Sequence, residues 1–443
     1  MKFPGASDFR KSLKDDTAAL LQSVLDAAES RSLAVYAVGG PVRDLLLGKE
    51  IHDVDLLLES ADAVALATLA APTDARVTRH DRFGTVRLEV GSAVVDLSTA
   101  RRETYAHVGA LPRVESGSLE EDLARRDFTV NALALPLSSR ARRNHSGIVD
   151  LADGIGDLAG GHLRILHPRS FHDDPTRVLR AARLVPRLGL SLTRGSRTAM
   201  RDSLRDGVFG RVSGDRLRRE LVKVFEDARL GLDPSMVFRL LSNWHVLGAL
   251  EPGLDLPRAA VVPLRRLGRA IASPPWRSGR WRSWISGVSV WLAPTSPALR
   301  RRALQRFSVR GEVAQAIGRF PKASGSWLNT LPRARGRGAI DAVLSPLSEE
   351  ELYAFYSIAE SKLRGRIARF AIEDRMRRAP ISGEDLLDIG LEGPVVGRVL
   401  SRVRIAYLDG ALKNRDEAIA LAREIARRRG ASKRHTVTKA KRR

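Results

Sequence analysis

The chain contains no cysteine, which excludes disulfides, thiolate metal centres and cysteine nucleophiles outright. Its nine histidines are scattered and form no spacing that would hold zinc. No uninterrupted apolar run approaches the ~18 residues needed to cross a bilayer. The stretch from Met1 to Asp16 carries charges but no apolar core of the signal type. Acidic residues are in short supply against basic ones: 51 Asp and Glu face 75 Lys and Arg, for a net charge of +24. That excess points to a polyanionic partner, because each phosphate neutralised releases condensed counterions. An anionic membrane is the competing partner, but a nucleic acid met in the cytoplasm fits the missing signal and spanning segments better. No segment calls for a protein partner or for a membrane. With 43% hydrophobic and 28% charged residues, the chain is an ordinary folded one and not a disordered one. Its length predicts roughly two to four domains.

Residues 38–59 organise the rest: Val-Gly-Gly-Pro-Val-Arg-Asp-Leu-Leu-Leu-Gly-Lys-Glu-Ile-His-Asp-Val-Asp-Leu-Leu-Leu-Glu. Gly39 and Gly40 allow a tight turn whose N–H groups are open to a ligand. Val42 to Leu47 is helix-compatible and stops at Gly48. In the strand that follows, alternation puts Asp53 and Asp55 on one face and Val54 on the other. Two carboxylates side by side repel unless a cation lies between them, and hard oxygen ligands favour Mg²⁺. Alone, the glycine pair is an ordinary turn and the Asp-x-Asp an ordinary strand edge. Together, with Arg43 and Asp44 between them, they describe a nucleotide handled as its metal complex.

Around this stretch the spacing predicts a helix over 7–31, a strand from Leu33 to Val38 and a helix from Ala61 to Ala71. Strands follow from Gly84 to Val90 and from Ala93 to Leu97, giving a small mixed α/β sheet. Asp96 lies on the last of these, where it would add a third carboxylate to the metal site. Residues 101–119 read as a loop, since glycine, proline and mixed polarity argue against a regular element. In Arg125-Arg126-Asp127-Phe128-Thr129-Val130-Asn131-Ala132-Leu133-Ala134, guanidinium groups beside an acid match phosphate and ribose. Asp150, Gly154, Asp157 and Arg164 mark a turn or pivot. In Asp-Asp-Pro-Thr-Arg-Val-Leu-Arg-Ala-Ala-Arg, residues 173–183, Asp173 or Asp174 caps a helix with Pro175 in its first turn. Arg177, Arg180 and Arg183 then drift slowly round one side of that helix. A carboxylate accepts from the exocyclic amine of C or A, and a guanidinium donates to the ring nitrogen beside it. U and G present the opposite pattern, so an Asp/Arg pair selects C and A without a template.

From residue 186 onward the pattern is almost wholly helical. Ser213 caps a helix whose Leu217 and Leu221 have core spacing. Trp276, Trp281, Trp284 and Trp291 lie among arginines and read mainly as helix-packing anchors. The glycines at 383, 390, 393 and 397 punctuate short helices, and Arg427 to Arg443 is basic and lacks an apolar stripe.

In this order the motifs resemble the class II tRNA nucleotidyltransferases, the CCA-adding enzymes and their bacterial poly(A) polymerase relatives. The string Ser-Phe-His-Asp-Asp-Pro-Thr-Arg, with Asp173 where the family usually has Glu, and Ala-Leu-Pro-Arg-Val-Glu upstream, are similar to the branch with A-adding enzymes. The resemblance implies an α+β fold: a small polymerase-beta-like mixed sheet with helices, then a long all-α neck, body and tail. The implied parts are a head at 1–140, a base-recognising neck at 141–230, a body at 231–345, a tRNA-binding tail at 346–426 and a disordered basic end at 427–443. It further implies addition of C, A or both from CTP and ATP to the tRNA 3′ end. Asp53 and Asp55 would be catalytic and hold Mg²⁺, with Asp96 as a third ligand. Gly39, Gly40 and Arg43 would cradle the triphosphate. Arg126 and Asp127 would take the sugar-phosphate, and Asp174 with Arg177 the base, backed by Arg180 and Arg183. The close rival is a poly(A) polymerase, whose arginine-rich signature the stretch His80-Asp81-Arg82-Phe83-Gly84-Thr85 does not resemble. A rival of another class is a non-catalytic basic RNA-binding protein, against which the retention of Asp53 and Asp55 argues.

Overall fold

The computed structural model describes residues 3–59, 61–80, 84–104, 113–277 and 281–440, with 428–440 as backbone only. The chain forms two compact units, Met1–Glu220 and Leu221–Arg443.

The first unit is built on strands β1 (Ala34–Val38), β2 (Val54–Glu59), β3 (Arg76–His80), β4 (Thr85–Val90) and β5 (Ala93–Thr99). Further along the chain come β6 (Arg101–Thr104), β7 (Arg113–Ser116), β8 (Leu133–Pro136) and β9 (Val149–Asp150). Seven of them form one sheet in the order β3-β4-β5-β2-β1-β8-β9. Only the β2–β5 pair in it is parallel, so the expected mixed sheet is present. One face packs Val35, Ala37, Leu56, Leu58, Val95 and Leu97 against the helices Asp15–Ser30 and Ala63–Ala70. The other packs Tyr36, Val38 and Leu57 against Leu119 and Leu123. Strand β1 is therefore covered on both sides, which is why it reads Ala-Val-Tyr-Ala-Val without a polar alternate. Asp55 and Asp96 alternate with core residues on their strands and belong to this second face.

Local expectations needed revision in four places. The helix expected over 7–31 is two, Ala6–Lys11 and Asp15–Ser30, because Lys14 is extended (ψ 150°) and breaks the run. Strand β3 escapes a hydrophobic pattern because it is a polar edge strand with Val77 exposed. The expected loop at 101–119 contains the ribbon β6–β7, while residues 105–112 lie outside the described residues. Its ladder is held by charge, with Arg102 opposite Glu115 and donating to it at 3.0 and 2.8 Å. Apolar alternation has nothing to detect there. Last, the stretch from Arg427, expected to be disordered, continues the helix Arg415–Ala440. The His80–Thr85 stretch used against the polymerase reading falls largely on 81–83, outside the described residues.

The second unit is helical. Trp276 and Trp291 are buried, Phe238 packs on Trp291 with ring centroids 4.5 Å apart, and Trp281 stacks on Tyr353 at 3.7 Å. These tryptophans are packing anchors, as their spacing suggested. Near its end Ile381, Leu386, Val399, Val403 and Leu412 form a separate small core. Gly390 and Gly393 there adopt positive φ between the helices Gly383–Asp388 and Pro394–Leu408. No helix among the described residues is long and apolar enough to cross a membrane.

Candidate active site

The glycine turn, the two-carboxylate strand and the arginine motif meet at one end of the first unit's sheet. Antiparallel pairing of β1 and β2 sets Ala37 opposite Leu56, so one step further the register brings Val38 to Asp55, and the chain turns at Gly39 directly after it. Gly39 has φ +74°, and its N–H donates to the Leu133 carbonyl at 2.9 Å. A Cβ at this position would lie 2.7 Å from Arg126 Nη1. The positive φ demands glycine, and a side chain there would push the Arg126 guanidinium aside. The helix Gly40–Leu46 then begins with Pro41 in its first turn, and Gly48 follows it at φ +61°.

Asp55 and Asp96 are register partners on the parallel strands. Burial, the neighbouring Asp96 charge and, to a lesser degree, Asp53 push the Asp55 carboxyl up to about 6, against the opposing pull of Arg126 and Arg87. Asp53 lies just ahead of β2 and is exposed. Asp96 differs from the expectation of a third ligand. Arg87, its partner across β4–β5, grips both of its oxygens at 2.8 and 2.7 Å. Among the described residues no group of three or more acidic or histidine side chains is gathered as a metal site. Of the three carboxylates expected at a cation, Asp55 and Asp53 are those that no arginine pairs with among the described residues. Asp55 in particular carries an unfavourable negative charge that a divalent ion would relieve.

Arg126 is aimed by an acid that sequence reading passed over. Asp122 is fully buried and accepts from Arg126 Nε and Nη2 at 3.2 and 2.9 Å, and from Arg125 at 3.0 and 2.5 Å. Nη1 of Arg126 is left facing the Gly39 turn. Arg125 also binds Glu103 and the Arg101 carbonyl, which makes it a support and not a ligand group. The helix spacing Asp122-x-x-x-Arg126 was the available signal.

Two residues expected to touch the nucleotide are internal struts in this structure. Arg43 is buried and donates to Asp44 at 2.8 Å and to Asn131 Oδ1 at 2.5 Å. Asn131 in turn donates to Asp127 at 3.0 Å, and Asp127 accepts from Arg180 Nε at 2.7 Å. Burial would raise the Asp127 carboxyl, yet Arg180, Asn131 and Arg177 carry it down to about 2. Asp44, Arg43, Asn131, Asp127 and Arg180 therefore form one continuous polar chain. It ties the glycine-turn helix to the helix Thr176–Leu188.

On that helix the three arginines point to different partners. Arg177 is buried and donates to Ser170 Oγ at 2.6 Å and to the Arg125 carbonyl at 2.7 Å. Arg180 is half-exposed on Asp127, and Arg183 pairs with Glu220 at 2.6 Å. The N-cap of this helix is Pro175 and not the expected Asp173 or Asp174; Asp174 accepts from Thr176 N–H at 2.9 Å, and Arg216 approaches the same oxygen at 2.6 Å. Nothing in the linear pattern linked Arg216 to Asp174. Gly154, between Asp150 and Arg164, is packed rather than loose: a Cβ there would lie 2.3 Å from the Thr129 carbonyl.

Gly39→Ala is expected to cost roughly 1–3 kcal/mol of stability from backbone strain alone. It should also weaken nucleotide binding by displacing Arg126, measurable by thermal denaturation with and without nucleotide. An unchanged melting temperature and affinity would refute the tight approach.

Residues 35–164 match the poly A polymerase head domain family. A CC-adding tRNA nucleotidyltransferase of Deinococcus radiodurans is 30% identical over 385 residues, covering 86% of each chain. An A-adding tRNA nucleotidyltransferase of Geobacter sulfurreducens is 30% identical over 93% of this chain and 47% of its own. The chain thus spans about half the length of that relative. A solved complex of a CCA-adding enzyme with ATP superposes with TM-score 0.71 at 25% identity, over 95% of this chain and 98% of the other. The chain belongs to the tRNA nucleotidyltransferase family, whose members generally use divalent metals.

Proposed function

We propose that the protein is a template-independent tRNA nucleotidyltransferase that works in the cytoplasm, adds C, A or both from CTP and ATP to the tRNA 3′ end, and releases pyrophosphate. The observation that carries this reading is the meeting of the raised Asp55 carboxyl, Arg126 Nη1 and the Gly39 turn at one sheet end. Asp53 and Asp55 would hold Mg²⁺, which supplies charge neutralisation at the attacking hydroxyl and the leaving pyrophosphate. Arg126 and the Gly39–Gly40 backbone take the triphosphate. Arg43 and Asp127 act one layer behind, by fixing the turn and the base-reading helix in register. Asp174 accepts from the exocyclic amine of C or A, while Arg177, spent on Ser170 Oγ and the Arg125 carbonyl, fixes the start of that helix from behind. The net +24 charge and the helical second unit suit a structured RNA acceptor better than a small molecule.

The test is incorporation of labelled CTP or ATP with Mg²⁺ onto tRNAs ending before C, after CC and after CCA. Addition to the truncated ends that stops at CCA is expected. Addition of A alone onto CC assigns the A-adding specialisation within the same reading. Long A tails on unstructured RNA would replace it with a poly(A) polymerase, and RNA binding without incorporation would remove the enzyme altogether.

A further inference from the structure

Three hydrogen-bonding or charged groups converge on one oxygen of Asp174. Thr176 N–H and Thr176 Oγ donate to Oδ1 at 2.9 and 2.6 Å, and Arg216 Nη2 lies 2.6 Å from it. The Thr176 contacts are local, from a residue two positions on, with Pro175 between them as the N-cap of the Thr176–Leu188 helix. The Arg216 contact is not: it arrives from the helix Gly214–Asp227, forty-two positions further along the chain. Both side chains are largely shielded from water, with 17% and 20% of their surfaces exposed. The pair is therefore neither a solvated surface contact nor a sealed core pair.

From this geometry we infer that Arg216 is a positioning residue that sets base selectivity through Asp174. By holding Oδ1, it and Thr176 fix the carboxylate's rotamer and offer Oδ2 to the amine of an incoming C or A. A carboxylate free to rotate would still attract an amine. It would also swing aside and let the carbonyl of U or G enter without repulsion, so selectivity suffers more than turnover. The inference rests on the assignment of Asp174 as base reader.

The experiment compares kcat/KM for ATP with GTP, and for CTP with UTP, in wild type, Arg216→Ala, Arg216→Lys, Thr176→Val and Asp174→Ala, with melting temperatures recorded for each. Arg216→Ala is expected to lower the ratios roughly tenfold to a hundredfold, the scale of one charge-assisted base contact. Arg216→Lys should recover part of that loss, because it keeps a cation near Oδ1 without the planar fork. Thr176→Val should give a smaller loss in the same direction. If Arg216→Ala lowers kcat/KM for right and wrong nucleotides equally, with a reduced melting temperature that lysine does not restore, Arg216 is only a packing residue and the inference fails. Should Asp174→Ala retain full selectivity, the base-reader assignment itself fails. If only Asp174→Ala loses selectivity, that assignment stands and the role of Arg216 does not.

Discussion

Asp55→Ala is expected to abolish nucleotide addition, with a loss on the order of a thousandfold or more in kcat, while nucleotide affinity changes far less. The reason lies in where the carboxylate sits. It is on the strand next to Asp96, on a face otherwise occupied by core residues, with its carboxyl pushed up to about 6. On the proposed reading a nucleotide's phosphates meet the Gly39 turn and Arg126, and Arg126 is held by Asp122, not by Asp55. Single-turnover kinetics against equilibrium nucleotide binding separates the two effects, and surviving turnover would sink the assignment. The same position makes a second, opposite effect visible. A carboxyl raised in the folded protein adds stability below its ordinary value of 3.8 and loses it as pH rises towards 6. Above that, the metal-free protein carries a penalty of roughly 1–3 kcal/mol. Asp55→Asn should therefore melt at a higher temperature than wild type in EDTA at pH 8. The difference should vanish near pH 4.

Asp127→Ala is expected to be the most damaging single change to stability, by roughly 3–5 kcal/mol. Its carboxylate accepts from Phe128 N–H, Asn131 and Arg180, at 2.9, 3.0 and 2.7 Å. Removing it strands all three donors and disconnects Arg43 from the base-reading helix, so activity should fall with stability. Asp127→Asn should fall between, because it keeps the shape but not the charge opposite Arg180. The pH dependence has the reverse sign to that of Asp55. With its carboxyl held down at about 2, Asp127 contributes stability above its unfolded value near 3.8, which is lost as pH falls towards 2. Chemical denaturation of wild type and Asp127→Asn between pH 2 and 7 checks this: the gap should close on the acid side. A gap that persists unchanged at pH 2 would mean that the ion pair with Arg180 carries none of the effect.

The sequence by itself determined where the glycine turn and the paired carboxylates fall, and so the chemistry proposed for them, because glycine conformation and carboxylate repulsion are local properties. It also determined the sheet's type and the helical remainder, since apolar periodicity survives in one dimension. Where elements are held by charge instead of apolar alternation, as in the Arg102–Glu115 ribbon, that signal is silent. Only the tertiary structure decided which polar residues face a ligand and which are struts. Arg43 and Arg126 look equivalent in the chain, yet one is spent on Asp44 and Asn131 while the other keeps a nitrogen towards the turn. Asp96 looks like a third metal ligand until β4 brings Arg87 across to it. Arg216 has no sequence relation to Asp174 at all. A side chain's partners are set by strand register and helix packing, which join residues distant in the chain, so its role is a property of the fold and not of its neighbours in sequence.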